Sequence, residues 1–263
     1  MERTESPDLW SFDNTDTRLF TEARMEFIKP LLRELRNKIG LDSGLDVGCG
    51  LGDFSDFLSQ FGFQRVLGLD GRAQNIAEAQ RRYPGIPFQV ADVEELSAEN
   101  GVADLVLCFG LLYHLENPFR AIRRLYAVTG KVLLIESIQA PGSLPRLELM
   151  DEGHAANQGL SYLAFYPSES ALVKMLYGSG FNFVYGFKKL PSNPLYETTI
   201  RRTRMRTMLL ASRMELNAAH LVLLKDSPRM ATQNAVLWAT FPARMWGWVR
   251  AATARASSTR RRY

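Results

Sequence analysis

The 263-residue sequence predicts an α/β protein: a doubly wound, mostly parallel sheet of seven strands with helices on both faces and the last strand antiparallel. Three observations predict it. Short apolar runs alternate with helix-periodic segments between residues 44 and 136. The runs are apolar on both faces, as strands covered from both sides must be. A glycine-rich loop joins the first run to the first helical segment. The chain is long enough for one large domain of this kind or two small ones.

Leu19, Phe20, Ala23, Phe27, Leu31 and Leu35 recur at helical spacing, so residues 1–40 are expected to form a helical cap, with a break or kink at Pro30. Strands are expected at 44–47, 66–69, 88–91, 103–109 and 132–136, and helices at 53–61, 73–83 and 118–128. Right-handed crossovers then wind the sheet from both sides. The polar stretch 139–166 is too long for a simple connection and is expected to be an irregular insertion. A helix follows, capped by Ser168 and ended by Gly178 or Gly180. Segments 181–187 and 207–211 read as a closing strand pair, which places the domain at 41–213.

Composition narrows the function. No apolar run approaches the 18 residues of a membrane span, and the first nine residues lack the apolar core of a signal peptide. Cys49 and Cys108 are too few for a disulfide scaffold or zinc cluster, which reads as an intracellular, reduced protein. The net charge is +4, but the seven arginines after Asp226 have no acid among them, leaving −3 for residues 1–226. The charge of the main domain therefore argues against a nucleic-acid partner. In the extension 214–263, Trp238, Trp246 and Trp248 stand beside these arginines. Leu237, Phe241, Met245 and Val249 recur every fourth residue, an amphipathic pattern bent by Pro242. Such a segment suits either peripheral contact with an anionic membrane or packing on the domain or a second copy. The expected location is the cytoplasm or the membrane surface.

The strongest local signal is Asp46-Val47-Gly48-Cys49-Gly50-Leu51-Gly52-Asp53, between a strand and a helix. Three alternate glycines let backbone approach a ligand closely. A dinucleotide fingerprint needs glycine where Asp53 stands, and Asp46 suits a cationic or amine-bearing ligand better than a pyrophosphate. Asp70, followed by Gly71, ends the next strand, where a carboxylate accepts ribose hydroxyls. Asp92, followed by Val93, ends the third and is placed to receive an adenine amino group; Phe109 ends the fourth.

This series resembles the class I S-adenosylmethionine (SAM)-dependent methyltransferases over roughly residues 40–213. The resemblance implies a Rossmann-like fold and SAM as cofactor, bound by Asp46, Gly48, Cys49, Gly50, Gly52, Asp70, Gly71, Asp92, Val93 and Phe109. Cys49 and Cys108 are otherwise small packing residues.

Methyl transfer asks mainly for alignment, and a hydroxyl acceptor also needs a base. His114 follows the fourth strand, where open α/β sheets place ligands, and is either that base or a ring packed beneath the cofactor. Glu136 is either a substrate-facing carboxylate or a loop cap. His154 is a second candidate base in the 139–166 segment, expected to cover the acceptor pocket. Asp151-x-x-His154 has ligand-pair spacing but no third partner, so no metal is expected. Tyr162 and Tyr166 either wall the pocket or belong to the core.

A closer resemblance runs through residues 110–118, Ile135-Glu136-Ser137, Phe165-Tyr166-Pro167-Ser168 and Arg201-Arg202-Thr203. It is to the carboxymethyltransferases that modify the tRNA wobble uridine with carboxy-SAM. It implies that Tyr113 and Arg201 or Arg202 match the tyrosine and arginine holding the cofactor's extra carboxylate. That family has a long basic N-terminal extension with a further lysine; here about forty residues precede the glycine loop, and the body is acidic. The expectation is therefore methyl transfer from ordinary SAM to a hydroxyl, ahead of an amine, of a small molecule or glycan. tRNA carboxymethylation and a non-catalytic SAM-binding or membrane-associated scaffold are the alternatives.

Overall fold

The structure is a computed structural model that describes residues 10–153, 157–159, 163–199 and 203–226. A short turn, α1 (Trp10–Asp13), leads into α2 (Thr15–Ile39), whose first turn is capped by Asn14 Oδ1 accepting from the Thr17 N–H at 2.9 Å. Pro30 lies inside this helix without ending it, against expectation. An interior proline costs about 3 kcal/mol. Ile28, Leu31, Leu32 and Leu35 on either side of it are buried against the sheet, and that packing holds both halves in line.

The sheet follows the expected alternation: β1 (Ser43–Val47), α3 (Asp53–Gln60), β2 (Arg65–Asp70), α4 (Ala73–Arg82), β3 (Phe88–Val90), β4 (Ala103–Phe109), α5 (Pro118–Val128) and β5 (Thr129–Ile138). Next come β6 (Leu147–Asp151), β7 (Leu163–Pro167), α6 (Glu169–Gly178), β8 (Phe183–Phe187), β9 (Arg206–Ser212) and β10 (Leu221–Leu224). Strand order is β10-β8-β9-β5-β4-β1-β2-β3. The five strands β1 to β5 are parallel, β9 runs antiparallel to β5 and β8, and β10 antiparallel to β8.

Period-2 burial assigns the faces. Leu105, Leu107 and Phe109 turn toward α2 and α3, together with Val132, Leu134, Met208 and Leu210. Val106 and Cys108 turn toward α5 and α6, together with Leu133, Ile135, Leu209 and Ala211. Strands so covered on both sides are the reason their sequences read as continuous apolar runs.

Two findings extend the expected plan. The sheet has an eighth strand, β10, so the fold runs past Arg213, and residues to Asp226 belong to the same compact unit. The stretch expected to be irregular forms an antiparallel hairpin, β6 with β7, in register from Leu147↔Pro167 to Asp151↔Leu163. It was hidden because β6 is exposed along nearly its whole length, Leu147, Leu149 and Met150 included, so that strand shows no core pattern. The Trp/Arg segment lies outside the described residues. Among those described, no helix is long and apolar enough to cross a membrane.

Leu32 is fully buried where α2 meets the sheet. Leu32→Ala is expected to lower unfolding free energy by about 2–5 kcal/mol. Urea unfolding measures it, and a loss near zero would show that α2 is not part of the core.

Candidate active site

The glycine loop springs from the end of β1. Gly48, Gly50 and Gly52 all have left-handed backbone, at φ of 75°, 53° and 93°, which glycine alone adopts without strain. The N–H groups of Gly48 and Cys49 donate to the Leu69 carbonyl at 2.8 and 2.9 Å, tying the loop to β2. A Cβ on Gly50 would lie 2.9 Å from the ring of Phe12, so α1 covers the loop. Arg82 holds that cover by donating to both Asp13 oxygens, at 3.0 and 2.7 Å.

Asp70 sits beside the loop at the end of β2. Its Oδ2 accepts from the Gly50 N–H at 3.0 Å; its Oδ1 accepts from the Arg72 N–H at 2.8 Å and from Asn75 Nδ2 at 3.1 Å. Burial raises its carboxyl above the ordinary range, against the pull of those donors. Nearby, the buried Asn75 Oδ1 has no hydrogen-bond partner among the described residues, a spare acceptor next to the proposed ribose carboxylate. Asp46 lies beneath the loop, buried, and accepts from Ser55 Oγ at 2.7 Å. Burial pushes its carboxyl up to about 7, Ser55 partly opposing. Cys49 is buried, which drives its thiol upward, and Gly71 is exposed just past Asp70. Asp92 is exposed and caps a short turn by accepting from the Glu94 N–H at 2.8 Å. Val93 and Phe109 direct their side chains into the two cores, so each offers the cleft only backbone.

On the acceptor side, the turn Leu112–His114 brings Tyr113 and His114 together, ring centroids 4.1 Å apart, with Tyr166 edge-on to Tyr113 at 6.0 Å. Glu136 corrects the expectation of a substrate-facing carboxylate. It is fully buried: Arg206 Nη1 donates to both its oxygens at 2.9 and 3.1 Å, and Arg24 Nη1 to one at 3.4 Å. Arg206 Nη2 donates to the Tyr113 hydroxyl at 2.9 Å. The group thus holds two guanidinium cations against one carboxylate. Burial pulls the Arg206 guanidinium down, but Glu136 and Tyr113 reverse the balance and keep it protonated. Arg24 Nε is buried with no hydrogen-bond partner among the described residues.

The arginine beside Tyr113 is therefore Arg206; Arg201, His154 and Tyr162 lie outside the described residues. Both arginines were legible. Arg24 stands four residues before Ile28, within the apolar stripe of α2, and Arg206 shares the face of Met208 and Leu210 on β9. An arginine in an apolar stripe signals a buried partner. Glu152 was also missed: its Oε1 lies 2.5 Å from His114 Nδ1. Burial, followed by Arg206 and Arg72, lowers the His114 imidazole to about 4, so it is neutral near pH 7.

The fold and loop are those of a Rossmann-like α/β domain, and comparison with known proteins shows what that domain is similar to. A family described as a methyltransferase domain matches residues 45–132. A tRNA U34 carboxymethyltransferase of Alcanivorax borkumensis is 30% identical over 144 residues, 52% of this chain and 44% of that protein. The chain thus spans less than half the length of that relative. Among solved structures, the N-terminal domain of EvdMO1 with SAH bound superposes with a TM-score of 0.56 at 20% identity, covering 70% of this chain and 80% of that one. Magnesium protoporphyrin IX methyltransferase (ChlM) from Synechocystis PCC 6803, also with SAH bound, gives 0.53 at 19%, covering 76% and 88%. Residues 45–132 thus match a methyltransferase domain, in a chain that is similar to tRNA U34 carboxymethyltransferases over about half of its length.

Asp46 generates a signed pH dependence. The folded state keeps its proton up to about pH 7, whereas an unfolded aspartate releases it near 3.8. Its contribution to stability is present below the unfolded value and is lost as pH rises through about 7. Asp46→Asn is expected to flatten that part of the slope, read from thermal melts across the range; an unchanged slope would assign it to another group.

Proposed function

We propose that this chain transfers a methyl group from SAM to a hydroxyl oxygen of a small molecule or glycan, with an amine the less favoured acceptor. Bound SAM would supply a methyl group on a sulfonium that is already a good leaving group. In this reading the loop at Gly48, Gly50 and Gly52 gives its backbone to the cofactor, Asp70 receives the ribose, Asp92 the adenine side, and Asp46 supports the loop from below. The observation that carries the hydroxyl acceptor is His114, neutral and paired with Glu152 next to the turn that follows β4. A hydroxyl needs a proton acceptor as it becomes a nucleophile, whereas an amine needs only to be neutral. Tyr113 and Tyr166 contribute aromatic walls to the acceptor side.

A second reading, carboxymethyl transfer from carboxy-SAM, is favoured by one observation. The Arg24–Glu136–Arg206 group carries one uncompensated positive charge in a buried setting beside Tyr113. A sulfonium brought near it is repelled unless an anion arrives too, since unit charges 4 Å apart interact by about 4 kcal/mol at an effective dielectric of 20. A carboxylate on the cofactor or on the acceptor restores the balance. The net −3 of residues 1–226 weighs against tRNA as the acceptor.

Calorimetric titration of the purified chain with SAM and with carboxy-SAM tests both readings. Methyl transfer predicts that SAM binds at least as tightly as carboxy-SAM, and that Asp70→Ala weakens SAM by tenfold or more, about one charged hydrogen bond. Carboxymethyl transfer predicts a preference for carboxy-SAM of about tenfold or more that Arg206→Met removes. Binding of neither would leave the chain without a transferase reading.

A further inference from the structure

We infer that Glu152 is a positioning residue for His114: it fixes the imidazole with the proton on Nδ1 and leaves Nε2 as the proton acceptor, so the base is complete only when the acceptor-side hairpin is docked. This deepens the methyl-transfer reading and rests on it for the use of the base, though the pairing itself stands on geometry.

Glu152 follows directly on β6, and its side chain is almost fully buried, at 3% exposure, against a His114 side chain at 10%. Its two oxygens have separate tasks. Oε1 lies 2.5 Å from His114 Nδ1, and Oε2 accepts from the Gly159 N–H at 2.9 Å. The carboxyl therefore spans from the turn after β4 to the loop within the hairpin. Among the described residues the buried Nδ1 has no other partner, and its contact with Oε1 is close without yet having hydrogen-bond geometry; one proton must lie between them, since two bare acceptors would not approach so closely. If His114 holds it, Nε2 keeps its lone pair and can take a proton, and Glu152 stabilises the imidazolium that forms. If Glu152 holds it, Nε2 bears the hydrogen and His114 can only donate.

The surrounding groups favour the first arrangement. Burial raises the Glu152 carboxyl above its ordinary range, and the Gly159 N–H that it accepts works the other way, towards the ionised form. The other charged and titratable groups near the ring are Arg206 on β9, Arg72 after β2, and the phenols of Tyr113 and Tyr166. Both arginines attract a carboxylate and repel an imidazolium, so the resting pair is neutral histidine with ionised glutamate. Among the described residues, no hydrogen bond occupies Nε2.

The loop leaves no slack at this point. A Cβ on Gly159 would lie 2.6 Å from Glu152 Oε2 and 2.8 Å from the His114 carbonyl oxygen. Arg72 Nη2 donates to the carbonyls of Gln158 and Gly159 at 2.9 and 3.1 Å, while the Arg72 N–H donates to Asp70. The hairpin loop is thus tied to the residue expected to hold the ribose as well as to the histidine.

Long-range ¹H–¹⁵N correlation on labelled full-length protein reads which imidazole nitrogen carries hydrogen. The chain has only three histidines, so a His114→Asn spectrum assigns the signal by its disappearance. The expected result is the Nδ1–H tautomer in the native chain, shifting toward Nε2–H in Glu152→Ala and in Gly159→Ala. An Nε2–H tautomer in the native chain overturns the inference without any variant, and so does a tautomer indifferent to both substitutions in folded protein. SAM titration of the same samples separates the two levels. Nδ1–H with no SAM binding would sink the methyl-transfer reading and leave the pair in place. SAM binding with Nε2–H would sink this inference alone.

Discussion

A carboxylate with no exposed surface at the end of a central strand is the constraint on which the acceptor side depends. Glu136 stands on β5, and its two oxygens are met by Arg206 from β9 and Arg24 from α2. Losing the carboxylate of such a group leaves buried guanidinium charge unpaired, at a cost of about 3–5 kcal/mol. The cluster therefore joins three elements distant in sequence, and through Arg206 it also positions the Tyr113 hydroxyl. Phe20 adds to it from α2, with the guanidinium carbons of Arg24 and Arg206 lying 4.2 and 4.9 Å from its ring centre. The helical cap is thus part of the site's wall, and its removal would expose the cluster to water.

The parallel sheet explains why these residues meet. Successive crossovers bring the loops after β1, β2 and β4 to the same end, and β5 delivers Glu136 there as well. The half proposed to hold the cofactor is built from backbone, with glycines and one carboxylate at strand ends. The acceptor half is built from side chains carried by a hairpin, a turn and a strand start. Arg72 bridges the halves, its backbone on Asp70 and its guanidinium on the hairpin loop. A scaffold with a generic backbone site on one side and a variable side-chain wall on the other can change acceptor without disturbing the cofactor.

That division also decides what was legible in the sequence. Strand ends and glycine spacing are local signals, so the loop, Asp70 and the order of the first five strands could be read directly. Helix α2 continued through Pro30 because the burial of Ile28, Leu31, Leu32 and Leu35 is a tertiary effect that local propensity does not contain. The hairpin was hidden because β6 is exposed on both faces and so lacks a one-sided pattern. Glu136 read as a substrate contact because its partners lie 112 residues before it and 70 after it. Arg24 and Arg206 nevertheless left a trace, each a charged residue at an apolar position of its own period. Glu152 left none, since its importance arises only when the hairpin folds onto the turn at His114.

The cationic cluster and the histidine are not independent, because Arg206 belongs to both. Its charge is held in place by Glu136 and Tyr113, and it is also one of the two cations that lower the proton affinity of His114. An anion seated against Arg206 would cancel part of that field, and by the same Coulomb argument would raise the imidazole's affinity for a proton. Reciprocity then requires that protonating His114 strengthen the hold on the anion. An acidic ligand, whether the acid is on the cofactor or on the acceptor, would thereby strengthen His114 as the proposed base. A neutral ligand would leave His114 near its resting proton affinity. The charge of the bound ligand and the strength of the base are set by the same guanidinium, so a group removed from the chemistry by burial still bears on which acceptors the site can use.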